Sequence, residues 1–271
     1  MKSVALIIPL HEPHFNFIYN FIDIMYKNCE NIIDLYIVFS NEEEYNLFEK
    51  KDKINKIIIP HINNTNGIIN FKKFYALDKL KNNKKYDYFI VCDAEILIIP
   101  INFTETNILN KINNIYETKL IYAGATYEHE KYCTINKNCA ELFNEEFYNK
   151  LSNITHDFTL YFWFSDLPVY KREYLINFFN IINYDYINYN HFDYIIYSYY
   201  LILYHNFNIK NITKIINHNM SLETYNTNNQ EDLIKLKSDG YSFSYINIKL
   251  WLTHSHYLYK EGTFLIYHLD R

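Results

Sequence analysis

Between Tyr86 and Ile99 the chain passes through two apolar runs, Phe89 to Cys92 and Ile96 to Ile99, separated only by Asp93, Ala94 and Glu95. Short runs of this kind, rich in Ile, Val and Phe, read as strands buried on both faces. Side chains alternate along an extended backbone, so Asp93 and Glu95 point to the same side. Two carboxylates brought that close repel, and a cation joining them removes the cost. Asp93 and Glu95 are therefore candidate ligands of a divalent metal that also holds a diphosphate. The same pair also suits a strand end whose acids simply face water, so the surrounding chain has to separate the two readings.

The 271 residues suffice for one large domain, or a domain with a lobe, around a sizeable core. Hydrophobic residues at 49% and charged residues at 21% describe a globular chain, not a disordered one. The 29 Tyr and 20 Phe, beside only 4 Gly and abundant Asn, Ile and Lys, point to an AT-rich genome. Most aromatic residues are accordingly read as core. A formal net charge of -5 offers no basic field for nucleic acid. Cys29, Cys92, Cys133 and Cys139 form no C-x-x-C pair, which argues against zinc-ribbon and thioredoxin chemistry. Cys133 and Cys139 are close enough for a local bridge, but thiols in a reducing compartment are expected. The apolar start, Val4 to Leu10, is too short for a signal peptide, and no run reaches membrane-spanning length without polar interruption. The expectation is a soluble, cytoplasmic protein, with peripheral membrane contact left open.

Along the chain, Ser3 to Pro9 reads as a buried strand and His11 to His14 as a loop at its carboxyl end. Phe15 to Asn28 has helical spacing of apolar residues. Leu35 to Phe39 is a second strand, and Ser40 with Glu43 forms a capping box for a helix over Asn41 to Lys51. Ile57 to Ile59 is a third strand, Ile68 to Asn82 a helix, and Tyr88 to Cys92 the fourth strand. Further elements are a strand over Ile96 to Ile101, a helix over Glu105 to Glu117 and a strand over Leu120 to Ala125. Tyr127 to Asn144 reads as irregular, Lys171 to Asn180 as helical, and His191 to Phe207 as an aromatic helix. Leu222 to Asp239 is a polar, partly helical excursion, and Ile246 to His256 an apolar strand ending in histidines. Strand-helix alternation repeated before the acidic pair predicts a parallel α/β sheet. His11, Ser40, His61 and Asp93 would share its carboxyl edge, where open parallel sheets bind ligands. Neither G-x-G-x-x-G nor a P-loop is present, so a nucleotide here needs another means of neutralising phosphate.

Four alternating units feeding Asp93-Ala94-Glu95 resemble the GT-A fold of nucleotide-sugar glycosyltransferases, whose short acidic motif is usually written DxD. Glu at the last position departs from that pattern but keeps an oxygen ligand. The resemblance covers roughly residues 3 to 125 by order of elements. Within that class, Phe71-Lys72-Lys73-Phe74-Tyr75-Ala76-Leu77 followed by Tyr86-Asp87-Tyr88 looks like sugar transferases of bacteria and large viruses. The resemblance implies a GT-A, Rossmann-like three-layer sandwich with a mostly parallel central sheet and a mixed, aromatic-rich C-terminal acceptor part. It implies a single domain over 1–271, with a nucleotide-sugar half at 1–125 and an acceptor-binding half at 126–271. It implies Mn2+ or Mg2+ at Asp93 and Glu95, and a histidine returned from the C-terminal part, for which His254 and His256 are candidates and His268 a weaker one.

Sugar transfer by displacement needs a base for the acceptor hydroxyl and a stabiliser for the departing diphosphate. Asp193 and Asp166 are the candidate bases. Asp193 is equally suited to opening a helix, and Asp166 to binding acceptor hydroxyls or capping the helix that follows. Trp163 is a candidate stacking partner for a sugar ring, and core packing is its alternative. Lys73 or Lys72 could reach a phosphate or lie on a solvated face, while His11, Ser40 and Asp93 complete the expected donor contacts. The leading expectation is a metal-dependent glycosyltransferase moving a sugar from a nucleoside-diphosphate donor to a glycan or lipid-linked acceptor, in glycan biosynthesis. The alternatives are a non-catalytic carbohydrate-binding protein on the same scaffold and a sugar-phosphate nucleotidyltransferase. The latter resembles a GT-A half with a basic glycine-rich loop after the first strand, which His11-Glu12-Pro13-His14 lacks.

Overall fold

The computed structural model describes residues 3–61, 67–94, 96–98, 103–124, 129–160, 162, 168–211, 213, 216–218, 223–225 and 265–267. In chain order the elements are β1 (Val4–Pro9), α1 (Phe15–Cys29), β2 (Ile33–Phe39), α2 (Glu42–Leu47), β3 (Asn55–Ile58), α3 (Ile68–Leu80), β4 (Tyr88–Val91) and β5 (Ile96–Ile98). Then follow α4 (Glu105–Thr118), β6 (Leu120–Ala123), α5 (His129–Ala140), α6 (Glu145–Ile154), β7 (Val169–Lys171), α7 (Arg172–Ile181), α8 (Asp193–His205) and β8 (Asn208–Asn211). Short strands β9 (Ile216–His218), β10 (Glu223–Tyr225) and β11 (Leu265–Tyr267) complete the described elements. The chain divides into two compact units, one of Met1–Ile98 with Pro168–Tyr194 and one of Ile99–Leu167 with Ile195–Arg271.

The first unit is an α/β fold around a five-stranded sheet in the order β3-β2-β1-β4-β7. The first four strands are parallel and β7 runs antiparallel to β4. Val4 of β1 stands opposite Ile33 of β2 and Tyr88 of β4, and Ile7 opposite Tyr36 and Val91. Every residue of β1 is buried, as its unbroken apolar run demands of a strand covered on both faces. The connections from β1 to β2 and from β2 to β3 step one way across the sheet; the connection from β3 to β4 steps back past β1. Since such crossovers are right-handed, α1 and α2 cover one face and α3 the other. The reversal lies between the neighbouring carboxyl ends of β1 and β4.

Helix α3 is buried around most of its circumference, through Asn70, Lys72, Lys73, Phe74, Ala76, Leu77 and Leu80. It lies against β1 and β2, and Phe74 stacks on Phe178 of α7 with ring centroids 6.1 Å apart. Its start is fixed by a close approach. Gly67, the N-cap, has φ +82°, and a Cβ there would meet the backbone carbon of Asn188 at 2.4 Å. Asn70 Nδ2 donates to Asn188 O at 3.3 Å, so the loop before α8 is pinned to the first turn of α3.

Three expectations are corrected. The cap of α2 lies one residue later than the box read at Ser40 and Glu43: the Asn41 side chain accepts from Glu44 N at 2.8 Å, while the Glu44 carboxylate reaches past the cap to accept from Ser40 N at 2.5 Å. That helix stops at Leu47, short of Lys51, because Phe48 turns inward and packs on Phe15 and Phe39. Within the span read as irregular, residues 129–140 form α5, whose buried stripe is Tyr132, Ile135, Asn136, Cys139 and Ala140. The amide nitrogen of that stripe's polar member is paired, since Asn136 Nδ2 donates to Phe158 O and Leu160 O at 3.0 and 2.8 Å.

The second unit also holds α4, α6 and the parallel pair β6–β8. The stretches Leu222 to Asp239 and Ile246 to His256 fall largely or wholly outside the described residues. No disulfide joins the four cysteines. Among the described residues, no helix is long and apolar enough to cross a membrane.

A methyl group at Gly67 has to adopt a left-handed conformation and displace the backbone of Asn188. Gly67→Ala is expected to destabilise the protein by about 2–4 kcal/mol. Urea unfolding should show a lower midpoint at an unchanged slope.

Candidate functional site

Strand β4 delivers Asp93 to the carboxyl edge beside β1: Cys92 N still donates to Ile7 O at 3.0 Å, and the next residue leaves the sheet. Helix α3, on the face defined above, presents Lys72 and Lys73 at that edge. The two adjacent ammonium groups take different partners because successive helical residues point about 100° apart.

Lys73 reaches the acidic end of β4. Its Nζ lies 2.7 Å from Asp93 Oδ1 and 3.1 Å from Asp193 Oδ1. Asp193 is the first residue of α8 and only 1% exposed, and its Oδ2 accepts a hydrogen bond from the Tyr170 hydroxyl of β7. The start of a helix favours an anion, so the carboxylate is supported from its own backbone as well. Burial opposes the charge on Lys73, but Asp193 and Asp93 outweigh it and hold its pKa above the ordinary lysine value of 10.5.

Lys72 reaches the end of β1 instead. Its fully buried ammonium donates to Leu10 O and lies 3.4 Å from Glu44 Oε2. Here burial prevails and lowers the pKa, with Glu44 opposing the shift. Glu44 in turn accepts from Ser40 N at the end of β2. His11 and His14 stand on the short turn after β1 with ring centroids 4.1 Å apart.

The structure therefore brings Lys73, Asp93 and Asp193 into one cluster and places His11 and Ser40 at the adjoining strand ends. Glu95, Trp163, Asp166, His254, His256 and His268 lie outside the described residues. Tyr170 and Glu44 were not anticipated. Glu44 sits one residue past the capping position inferred from sequence, and Tyr170 belongs to a three-residue strand that has no local signal.

A divalent cation at Asp93 is compatible with the charge of this cluster. Two carboxylates and one ammonium leave one net negative charge, and the Asp93 side chain is 20% exposed. Among the described residues no three His, Cys, Asp or Glu side chains are grouped closely enough to hold a metal. Glu95 and the C-terminal histidines, the other expected ligands, lie outside the described residues.

No protein-family model matches the sequence, and no curated protein matches it. Solved structures with detectable likeness include S. aureus TarS, at 13% identity and a TM-score of 0.32 over 46% of this chain and 22% of that one. A shorter TarS structure, residues 1–349, gives 12% identity and a TM-score of 0.31 over 46% of this chain and 36% of that one. The chain thus spans about a fifth to a third of the TarS chains it matches. CMP:2-keto-3-deoxy-manno-octonic acid synthetase, solved with CTP, gives 9% identity and a TM-score of 0.39 over 88% of this chain and 99% of that one. Likeness at this level assigns neither a family nor an activity.

Breaking a buried ion pair from one side leaves a charge without its partner. Lys73→Met is expected to cost about 3–5 kcal/mol. Tyr170→Phe removes one hydrogen bond to a charged acceptor and should cost about 1.5–3 kcal/mol. The contribution of Lys73 is fully present below its unfolded value of 10.5 and is lost as pH rises through the higher folded value. The difference in urea midpoint between wild type and Lys73→Met should therefore hold steady from neutral pH towards 10.5 and narrow above it.

Proposed function

We infer that the chain is a metal-dependent glycosyltransferase whose nucleoside-diphosphate sugar binds at the carboxyl edge of the first unit. One observation carries this reading: Asp93 and the buried ammonium of Lys73 meet where the strand order reverses, between the ends of β1 and β4. Open α/β sheets bind ligands outside that switch point. A buried lysine there meets the need for a phosphate partner that the missing glycine-rich loops leave open.

In this reading Asp93 and Glu95, with His254 or His256, hold Mn2+ or Mg2+. When bound, the ion supplies Lewis-acid stabilisation of the departing diphosphate. Lys73 binds a phosphate oxygen, and Asp193 with Tyr170 orients it. At 1% exposure, Asp193 suits that anchoring role better than proton removal from an acceptor. The base is then assigned to Asp166, with Trp163 beside the acceptor sugar. The reaction breaks the bond from the anomeric carbon to the phosphate oxygen and forms one to the acceptor oxygen, whose proton passes to the carboxylate. His11 and Ser40, at the ends of β1 and β2, contact the nucleoside part in this reading. The acceptor is a glycan or lipid-linked glycan reached from the cytoplasm.

Thermal unfolding with ADP, GDP, UDP, CDP and their sugar conjugates, with and without Mn2+, tests the reading. One nucleotide should stabilise the wild type by about 2.7 kcal/mol at about 100 times its Kd, only with Mn2+ present, and Asp93→Asn should abolish the effect. Absence of any nucleotide effect on folded protein, with binding on a glycan array, would replace the transferase with a carbohydrate-binding protein. Pyrophosphate release from a nucleoside triphosphate and a sugar phosphate would replace it with a nucleotidyltransferase.

A further inference from the structure

Lys73 holds one oxygen of the carboxylate read above as a metal ligand. Its ammonium is 2.7 Å from Asp93 Oδ1, and the Lys73 and Asp93 side chains are only 7% and 20% exposed. Screening by solvent and salt is weak for such a pair, so an ammonium and a divalent ion contend directly for the same oxygen. The far side of the ammonium is held by Asp193, itself oriented by Tyr170. Lys73 can thus leave Asp93 without becoming a buried charge lacking a partner.

We propose that Lys73 is an internal competitor for the divalent ion at Asp93, and that a nucleoside diphosphate lifts the competition by offering the ammonium phosphate oxygens in exchange for Asp93 Oδ1. The proposal rests on the donor-site reading above and adds an order to it: the ion binds poorly to the empty protein and well to the nucleotide complex. Coupling of this kind is reciprocal, so the ion tightens the nucleotide by the same factor. Lys73 acts as a positioning residue, since no bond to the transferred sugar is made or broken on it. Lys72 shows that burial on α3 alone does not create the competition, because its ammonium is committed to Leu10 O and Glu44.

The test is titration of Mn2+ into the full chain, followed by the paramagnetic resonance signal of the free ion, without nucleotide and with saturating ADP, GDP, UDP or CDP, each against a protein-free blank that corrects for Mn2+ held by the nucleotide itself. In the wild type, the nucleotide that binds should tighten Mn2+ by at least about tenfold. The double variant Lys73→Met with Asp193→Asn removes the ammonium together with the buried carboxylate it would strand. It should bind Mn2+ alone at least about tenfold more tightly than wild type and lose most of the coupling. Circular dichroism checks that the variant is folded; if it is not, Lys73→Gln takes its place and is held to the same outcome. A folded double variant that binds Mn2+ no more tightly than wild type overturns the competition while leaving the donor site standing; equal Mn2+ affinity with and without a bound nucleotide overturns both, because the nucleotide would then not depend on the ion. Failure of every nucleotide to bind overturns both.

Discussion

One buried ammonium fixes the geometry of the first unit's working edge. Lys73 joins the end of β4 through Asp93 to the start of α8 through Asp193, and Tyr170 brings in β7. Taking a lysine and an aspartate out of water is expensive, and only the mutual attraction of the cluster offsets it. Each partner is then needed by the others. The positions of α3 and of the loop before α8 are held by an independent contact, the approach of Gly67 to Asn188. Ion pair and backbone contact lie at different heights along α3 and constrain the same two segments.

The contrast between neighbouring lysines shows how one helix serves two strand ends. Lys72 turns to the carbonyl of Leu10 after β1 and to Glu44 of α2, and burial lowers its pKa. Lys73 turns to the end of β4, where two carboxylates raise its pKa despite burial. The sheet order places those ends side by side, so both ammonium groups fall at the reversal of the strand order. Through that shared placement each ammonium is committed to carboxylates beside neighbouring strand ends.

Much of this was legible from residue order. The unbroken apolar runs of β1 and β4 and the helical spacing of α1 located the parallel sheet, and its carboxyl edge followed from chain direction. Asp93 was recognisable because a carboxylate at the end of a buried strand calls for a partner. The identity of that partner was not. Lys73 and Asp193 are far apart in sequence, and a lysine on a helix ordinarily faces water. β7 escaped notice because three residues carry no period of their own; antiparallel pairing with β4 defines them. α5 was obscured by Asn136 in its buried stripe, whose amide nitrogen is paired with carbonyls more than twenty residues away. The shift of the α2 cap reflects two adjacent capping residues, Ser40 and Asn41, each followed three residues later by a glutamate.

The proposed donor site requires that Asp93 and Lys73 together receive a metal-bound diphosphate. Anomalous diffraction at the manganese edge, from crystals grown with Mn2+ and the nucleoside diphosphate that stabilises the protein, addresses it most directly. The account predicts a single manganese peak on Asp93, a phosphate oxygen within hydrogen-bonding distance of Lys73 Nζ, and Asp193 still paired with that ammonium. Nucleotide bound elsewhere, or bound at this edge with Lys73 still on Asp93 and no manganese beside it, would contradict the account.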